Sequence, residues 1–324
     1  MPSNFRIIFM GTPEFAVESL KILIENNQNV VAVITAGDKP SGRGQKLQIS
    51  AVKAFALSHN IPVLQPLNLK SPDFLLELQS YKADLQIVVA FRMLPEVVWS
   101  MPPLGTFNLH GSLLPQYRGA APINRAIMNG EKETGVTTFF IQHEIDTGSI
   151  IYQEHCPIGE NDNAGVIHDK LMTIGANLVL KTVYDIQANR IQAISQNQLI
   201  SNTDLLKHAP KIFKDDCKTN WFLSAAEVHN HIRGLSPYPT AFAELAAPSM
   251  ENPITVKIFD SLIIETTDSN LKPGDILTDG KKYLHVATDK GLISILQIQL
   301  AGKKRMSIDE MLRGFVLNES MRFI

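Results

Sequence analysis

The chain has 324 residues, with 32 acidic against 30 basic side chains, a net charge of −2 and 44% hydrophobic content. That length allows one large or two medium domains with a sizeable core, and the near-neutral balance excludes the global basic excess that advertises nucleic-acid binding. Two cysteines, Cys156 and Cys217, lie far apart outside any CxxC pair and suggest neither a disulfide framework nor a zinc site.

No charged-then-apolar leader precedes FRIIFM, and no apolar run reaches bilayer length, so a soluble, cytoplasmic protein is expected. In chain order, FRIIFM, VVAVIT, PVLQ, LQIVVAF and TFNLH read as buried strands. Between them, PEFAVESLKILIEN, SAVKAFALSHN and PDFLLELQSY repeat their apolar residues at helical spacing. This alternation predicts an α/β fold, with a Rossmann-like, mostly parallel sheet covered on both faces. VTTFFIQ and IIYQEH, joined by HEIDTGS, are expected to add an antiparallel pair at one edge. A long helix over 163–189 follows, with Asn161, Asp162 or Asn163 as its cap.

Beyond that helix the texture changes. QAISQNQLISNTDLLKHAPKI is polar and weakly periodic, as a linker would be. A short helix, SAAEVHNHIRGL, precedes the strand candidates PTAFAEL, ITVKIF, SLIIET, KKYLHVAT and GLISILQIQL, separated by the turn signals KPGD, TDGKK and TDKG. Short strands at regular spacing predict a small OB-like β-barrel. The expected organisation is a first domain over 1–191, a linker over 192–209 and a barrel domain over 210–324.

Residues two apart in a strand point the same way, so TFNLH sets Asn108 and His110 on one face at the carboxyl end of a parallel strand. Open α/β sheets bind their ligands at that end. An amide donor beside an imidazole can hold a carbonyl oxygen as it becomes an oxyanion, and can assist proton movement there. A buried histidine satisfied by an internal hydrogen bond is the other reading, and the two residues alone leave both open. Gly111 and Ser112 let backbone approach a ligand, and Pro115 stiffens the loop. Asp146, in HEIDTG, reads by itself as a turn former; if it reaches His110, it fixes the ring's orientation.

Gly11-Thr12-Pro13 makes a strand–turn–helix junction, with Thr12 as a candidate cap and Pro13 at the first helical position. Without GxGxxG it supports no dinucleotide site, although a helix N-terminus can receive an anion or polar ligand. TAGDKPSGRGQKLQIS is long for a βα loop and carries Lys39, Arg43 and Lys46; it suits a phosphate backbone or is a solvated surface loop. GxSxG, Walker A and HExxH are absent, which excludes serine hydrolase, P-loop nucleotidase and zincin readings.

FNLHGSLLPQYRGAAPINRAI, with the Asp of HEIDTG downstream, resembles the 10-formyltetrahydrofolate-dependent formyltransferases. MGTPEFAV, the GDKPSGRGQKL loop, NWFLSAAEVHNHIRGLSPYPTAF and QLAGKKRMS extend the likeness along the whole chain, most closely to members acting on methionyl-tRNA. The resemblance implies formyl transfer from 10-formyltetrahydrofolate to the α-amino group of methionyl-initiator tRNA, for translation initiation. It implies no metal, no membrane and a monomer. Asn108, His110 and Asp146 match the family's catalytic trio, and Ser112, Leu113, Leu114 and Pro115 match its folate contact. Where members commonly show a VVAYG-type run, this chain has VVAFRMLP, with Arg92 in place of the glycine. By resemblance Phe91, Arg92 and Met93 border the pterin pocket. The resemblance also assigns tRNA contacts to Lys39, Arg43 and Lys46, to Gly11 and Thr12, and to Lys303, Lys304 and Arg305. Transfer to a sugar-nucleotide amine or another small amine is the alternative on the same scaffold, while Arg118 and Arg125 receive no role.

Overall fold

The computed structural model describes residues 4–41, 46–248, 250–264, 271–317 and 320–324. The chain forms two compact units: Met1–Gly119, Thr134–Cys156 and His168–His208 make the first, and Ala120–Glu133, Pro157–Ile167 and Ala209–Ile324 the second.

The first unit is built on a seven-stranded sheet of β1 (Arg6–Gly11), β2 (Asn29–Ile34), β3 (Val63–Leu64), β4 (Leu85–Val89), β5 (Thr106–His110), β6 (Glu133–Phe140) and β7 (Ile150–Pro157). The strand order is β7-β6-β5-β4-β1-β2-β3. Pairings β3–β2, β2–β1, β1–β4 and β4–β5 are parallel, whereas β5–β6 is antiparallel. The mostly parallel sheet therefore turns over where the chain reaches β6.

Along β1, Ile8 and Met10 join a core layer that includes Ile34, Leu64 and Val88, closed by Phe74 and Leu78 of α3 (Pro72–Ser80) and Val98 of α4 (Glu96–Trp99). Ile7 and Phe9 point the opposite way and are equally buried, as expected of a strand covered on both faces. Phe9 and Phe107 are fully buried, and each contributes roughly 1.5–3 kcal/mol of apolar burial.

Helix α1 (Glu14–Glu25) buries Phe15, Ala16, Ser19, Leu20 and Leu23, one stripe at helical spacing. Its start differs from the sequence expectation. Pro13 holds the cap position with extended backbone, no side chain caps the helix, and Thr12 lies before it. A Cβ on Gly11 would come within 2.6 Å of the Ala16 Cβ, so the close approach of α1 to the end of β1 requires glycine. Helix α2 (Ala51–Ser58) is capped by Ser50, whose hydroxyl accepts from the Lys53 amide at 3.0 Å. The long helix, α6 (Ala164–Gln187), takes its cap from Asn163, which accepts the Val166 amide at 3.0 Å.

The second unit holds α5 (Pro122–Met128), α7 (Ala225–Leu235), α8 (Ile308–Gly314) and the strands β8 (Ala241–Ala246), β9 (Ile254–Ile264), β10 (Ile276–Thr278), β11 (Leu284–Ala287), β12 (Leu292–Leu300), β13 (Met306–Ser307) and β14 (Arg322–Phe323). The order is β10-β11-β12-β9-β8-β14, with β13 paired to β12. These neighbouring strands pair antiparallel. An antiparallel bridge between Asp275 and Arg322 brings the two ends of this sheet together into a nearly closed barrel. ITVKIF and SLIIET, expected as two strands, form the single strand β9, whose register slips at Asp260. That bulge bends one long strand instead of ending it. Ser224 and Glu227 form a reciprocal capping box at the start of α7.

The polar segment 192–209 is packed against the first unit over part of its length. Ile194 and Ile150 exchange two backbone hydrogen bonds at 2.8 Å, and Gln196 is 1% exposed.

Candidate active site

His110 ends β5, opposite Thr137 of β6, and Asn108 stands two residues earlier opposite Phe139. The histidine is buried, and its Nε2 donates to the Tyr117 carbonyl at 2.9 Å. A carbonyl can only accept, so Nε2 carries a proton. The other ring nitrogen, Nδ1, lies 3.8 Å from Oδ2 of Asp146, beyond direct hydrogen bonding but within ion-pair range once the ring is charged. The same Oδ2 accepts the Gly119 amide at 2.9 Å. The half-buried Asn108 carboxamide has no hydrogen-bond partner among the described residues. The trio predicted from sequence thus comes together as a held imidazole, a facing carboxylate and an unspent amide.

The loop bearing Asp146 is bound down from several sides. Asp146 itself has φ 55°, a left-handed conformation that few non-glycine residues adopt. Gly148 packs so closely on the Phe140 carbonyl that no Cβ fits there. Gln196 Nε2 donates to the Asp146 carbonyl at 2.9 Å and to the Gly148 carbonyl at 2.8 Å. Its Oε1 accepts from Arg118 Nε at 3.0 Å and Nη2 at 2.6 Å. Burial pushes the Arg118 guanidinium below its ordinary value, and the charges of Asp146 and Glu144 act in the opposite direction. Two further left-handed non-glycine residues, Ala90 (φ 48°) and Tyr117 (φ 60°), follow β4 and β5. The segments that follow β4, β5 and β6 thus each hold a non-glycine residue in a left-handed conformation, as is common where backbone serves a site.

The loop after His110 turns much of its polar chemistry inward. Ser112 is fully buried and donates to the Gln116 carbonyl at 2.6 Å. Leu114 packs with Phe139 and Ile150, and Leu113 lies against Gly135. Thr137 donates to the Ser112 carbonyl at 2.6 Å, and Gln153 donates to the Leu114 carbonyl at 2.8 Å. Of the four residues of this run, the half-buried Leu113 and Pro115 retain exposure.

Arg92 and Met93 line a cleft of about 910 Å³ with Leu67, Lys70, Leu94 and Val97. The Arg92 guanidinium is fixed across it, donating to the carbonyls of Leu67, at 3.1 Å, and Pro66. Phe91 packs on the core beneath.

The basic candidates are dispersed. Lys39 is exposed on a short hairpin of Lys39–Ser41 with Lys46–Gln48, and Arg43 lies outside the described residues. The hairpin's base is tied by Lys53, which donates to Asp38 at 2.6 Å and Gln65 at 2.7 Å. Gly11 is buried and Thr12 half-buried at the end of β1. In the second unit Lys303 and Lys304 are exposed, and Arg305 sits 4.4 Å from the Phe259 ring centroid. Arg125 is explained by structure: its guanidinium reaches Asp216 at 3.3 Å and the Pro210 carbonyl at 3.4 Å. Among the described residues no group of three or more His, Cys, Asp or Glu is placed to hold a metal ion, and no helix is long and apolar enough to cross a membrane.

Residues 5–183 match the family model described as formyl transferase, and residues 211–316 match formyl transferase, C-terminal domain. The chain belongs to the formyl transferase family. This formyltransferase is 54% identical over 319 residues to the methionyl-tRNA formyltransferase of Bacteroides fragilis, covering 98% of both chains. It is 50% identical to that of Flavobacterium johnsoniae, covering 98% of this chain and 99% of the relative. Among solved structures, the formyltransferase resembles an N-formyltransferase of Helicobacter canadensis in complex with folinic acid and dTDP-3-aminofucose, with a TM-score of 0.66. The identity there is 23%, covering 93% of this chain and 100% of the other.

Gln196, Thr137, Gln153 and Tyr117 carry the site's hydrogen bonds without having been singled out from sequence. Only Thr137 had a signal, as the residue that strand register could set opposite His110.

Proposed function

We propose that the chain transfers the formyl group of 10-formyltetrahydrofolate to the α-amino group of methionyl-initiator tRNA, in the cytoplasm, for translation initiation. The observation that carries the chemistry is the unspent Asn108 carboxamide beside the His110–Asp146 pair at the carboxyl end of a parallel strand. The substrate assignment is supported by the identity to methionyl-tRNA formyltransferases over nearly the whole chain.

The α-amine attacks the formyl carbon in its neutral form, a C–N bond forms, and the formyl oxygen becomes an oxyanion. Asn108 donates to that oxygen as charge develops. His110 adds a second donor by exchanging the neutral Tyr117 carbonyl for the charged oxygen, a stronger acceptor. Asp146 orients the ring and helps pass the amine proton, through water, to the folate nitrogen as the old C–N bond breaks.

The cleft beside Arg92 fits a folate in chemical character. Leu67, Met93, Leu94 and Val97 offer an apolar wall to aromatic rings, and Lys70 offers a cation to carboxylate. Arg92 and Met93, which line the cleft, are assigned to the folate together with Phe91 on the core beside them, with Ser112, Leu113, Leu114 and Pro115 forming the other contact chiefly through backbone and Pro115. Lys39, Arg43, Lys46, Gly11, Thr12, Lys303, Lys304 and Arg305 are assigned to tRNA. Residues 1–191 form the catalytic domain and 210–324 the tRNA-binding domain of a monomer.

The decisive experiment incubates the protein with 10-formyltetrahydrofolate and charged initiator tRNA, with elongator methionyl-tRNA and sugar-nucleotide amines as competitors. Preferential formylation of initiator tRNA is expected; brisk transfer to the small amine alone would overturn the substrate reading. Arg43→Ala should raise KM for tRNA and leave folate affinity unchanged.

A further inference from the structure

Gln196 lies in a stretch whose composition is that of a linker, yet it is buried in the first unit and touches three other residues of the site's frame. Its surroundings admit only one kind of side chain. Arg118 is donor-only, and the carbonyls of Asp146 and Gly148 are acceptor-only. A primary amide presents an acceptor to the first and two donors to the second. A carboxylate in its place would repel the carbonyls, an ammonium would repel the guanidinium, and a hydrocarbon would leave all three partners unmet.

The bonds also close a ring. From Gln196 one arm runs to the backbone of Asp146, whose side chain takes the Gly119 amide. The other arm runs to Arg118, the residue immediately before Gly119. Two loops separated by more than twenty residues, one after β5 and one after β6, are thereby cross-tied at the carboxylate that faces His110. Asp146 stands in a left-handed backbone conformation, so its placement needs such external support.

We propose that Gln196 is a positioning residue for formyl transfer: by bridging Arg118 to the backbone of Asp146 and Gly148 it holds the Asp146 carboxylate against His110. This rests on the reading of Asp146 as the group that orients His110 and moves the proton. The pair is already 3.8 Å apart, so a displacement of about 1 Å separates it, and misplacements of that size cost on the order of 100-fold in rate.

The test measures kcat and both KM values for the full chain carrying Gln196→Ala, Gln196→Glu and Asp146→Asn, with melting temperature and folate binding recorded in parallel. Gln196→Glu keeps the bond to Arg118 and loses the donors to the carbonyls, so it isolates the Asp146 arm. Both Gln196 variants are expected to lower kcat on the order of 10- to 100-fold, with KM values within about two-fold of the parent and folate binding retained. A Gln196→Glu protein that melts normally and keeps the parent kcat overturns the inference. If Asp146→Asn is itself fully active, the reading of the carboxylate fails first. If Asp146→Asn is inactive while the Gln196 variants turn over normally, only the inference on Gln196 fails.

Discussion

Two buried histidines, one in each unit, are handled in opposite ways. In the second unit His229 is 5% exposed, with Nδ1 at 3.0 Å from the Ser261 hydroxyl and Nε2 at 3.2 Å from the Glu160 carbonyl. Arg233, one turn on, donates to the carbonyls of Gly159 and Asp162 at 3.1 and 2.8 Å and to Asn230 at 2.9 Å. The histidine has both ring nitrogens engaged, and together with Arg233 it ties the loop at 159–162 to α7. His110 has similar burial, but only one of its nitrogens is saturated; the other faces a carboxylate at 3.8 Å, and the neighbouring Asn108 amide is unspent. Burial of a histidine therefore separates nothing by itself. What distinguishes His110 is its setting: a facing carboxylate and the unpartnered Asn108 amide gather at the carboxyl end of a parallel strand, where a ligand can use them.

That contrast can be broken most severely at the first histidine. His110→Ala is expected to reduce kcat/KM on the order of 100- to 10,000-fold while the melting temperature stays close to the parent's, as measured by steady-state kinetics and calorimetry. A comparable drop in melting temperature would place His110 in the same structural class as His229. The reciprocal change, Arg233→Met, removes the donor to the Gly159 and Asp162 carbonyls, so a loss of about 1–3 kcal/mol is expected in chemical denaturation, with kcat per folded molecule unchanged. Full stability with reduced turnover would reverse the assignment.

The smallest effect concerns pH. Burial holds the His229 imidazole below its ordinary value, and His231 and His285 in the same unit are lowered for the same reason. The unfolded chain then binds protons more readily than the folded one. Stability from these residues is complete above the ordinary imidazole value of 6.5 and is lost as pH falls below it. Melting temperature should decline from pH 7 to pH 5, and less steeply in His229→Gln, which can keep a donor to Glu160 and an acceptor for Ser261. Parallel slopes in parent and variant would remove His229 from the acid response.

Much of this architecture was legible in the residues themselves. Apolar runs such as FRIIFM announce strands buried on both faces, and the two-residue spacing of Asn108 and His110 sets them on one face of a strand. Other features depend on contacts that periodicity does not carry. The slip at Asp260 joins two apparent strands into one, because a bulge interrupts alternation without ending pairing. Ser112 and Leu114 carry the family's loop signature, yet their side chains turn inward to hold the loop's shape. Gln196 was the least visible. Its partners lie 48 to 78 positions away in sequence, and a glutamine among Ser, Asn and Gln residues looks solvated until the fold closes around it.

The chain passes between its two compact units five times, the last time at His208–Ala209. For a chain emerging from the ribosome, neither unit is a finished piece of sequence for most of synthesis. The segments 120–133 and 157–167 must wait for the barrel strands that follow residue 209, and the first unit is incomplete until residues near 208 have appeared. A fragment cut at 191 keeps Asn108, His110 and Asp146 but discards both Ile194 and Gln196. Exchange of one unit between related chains should accordingly use a junction at 208–209 and carry the two inserted segments with the barrel.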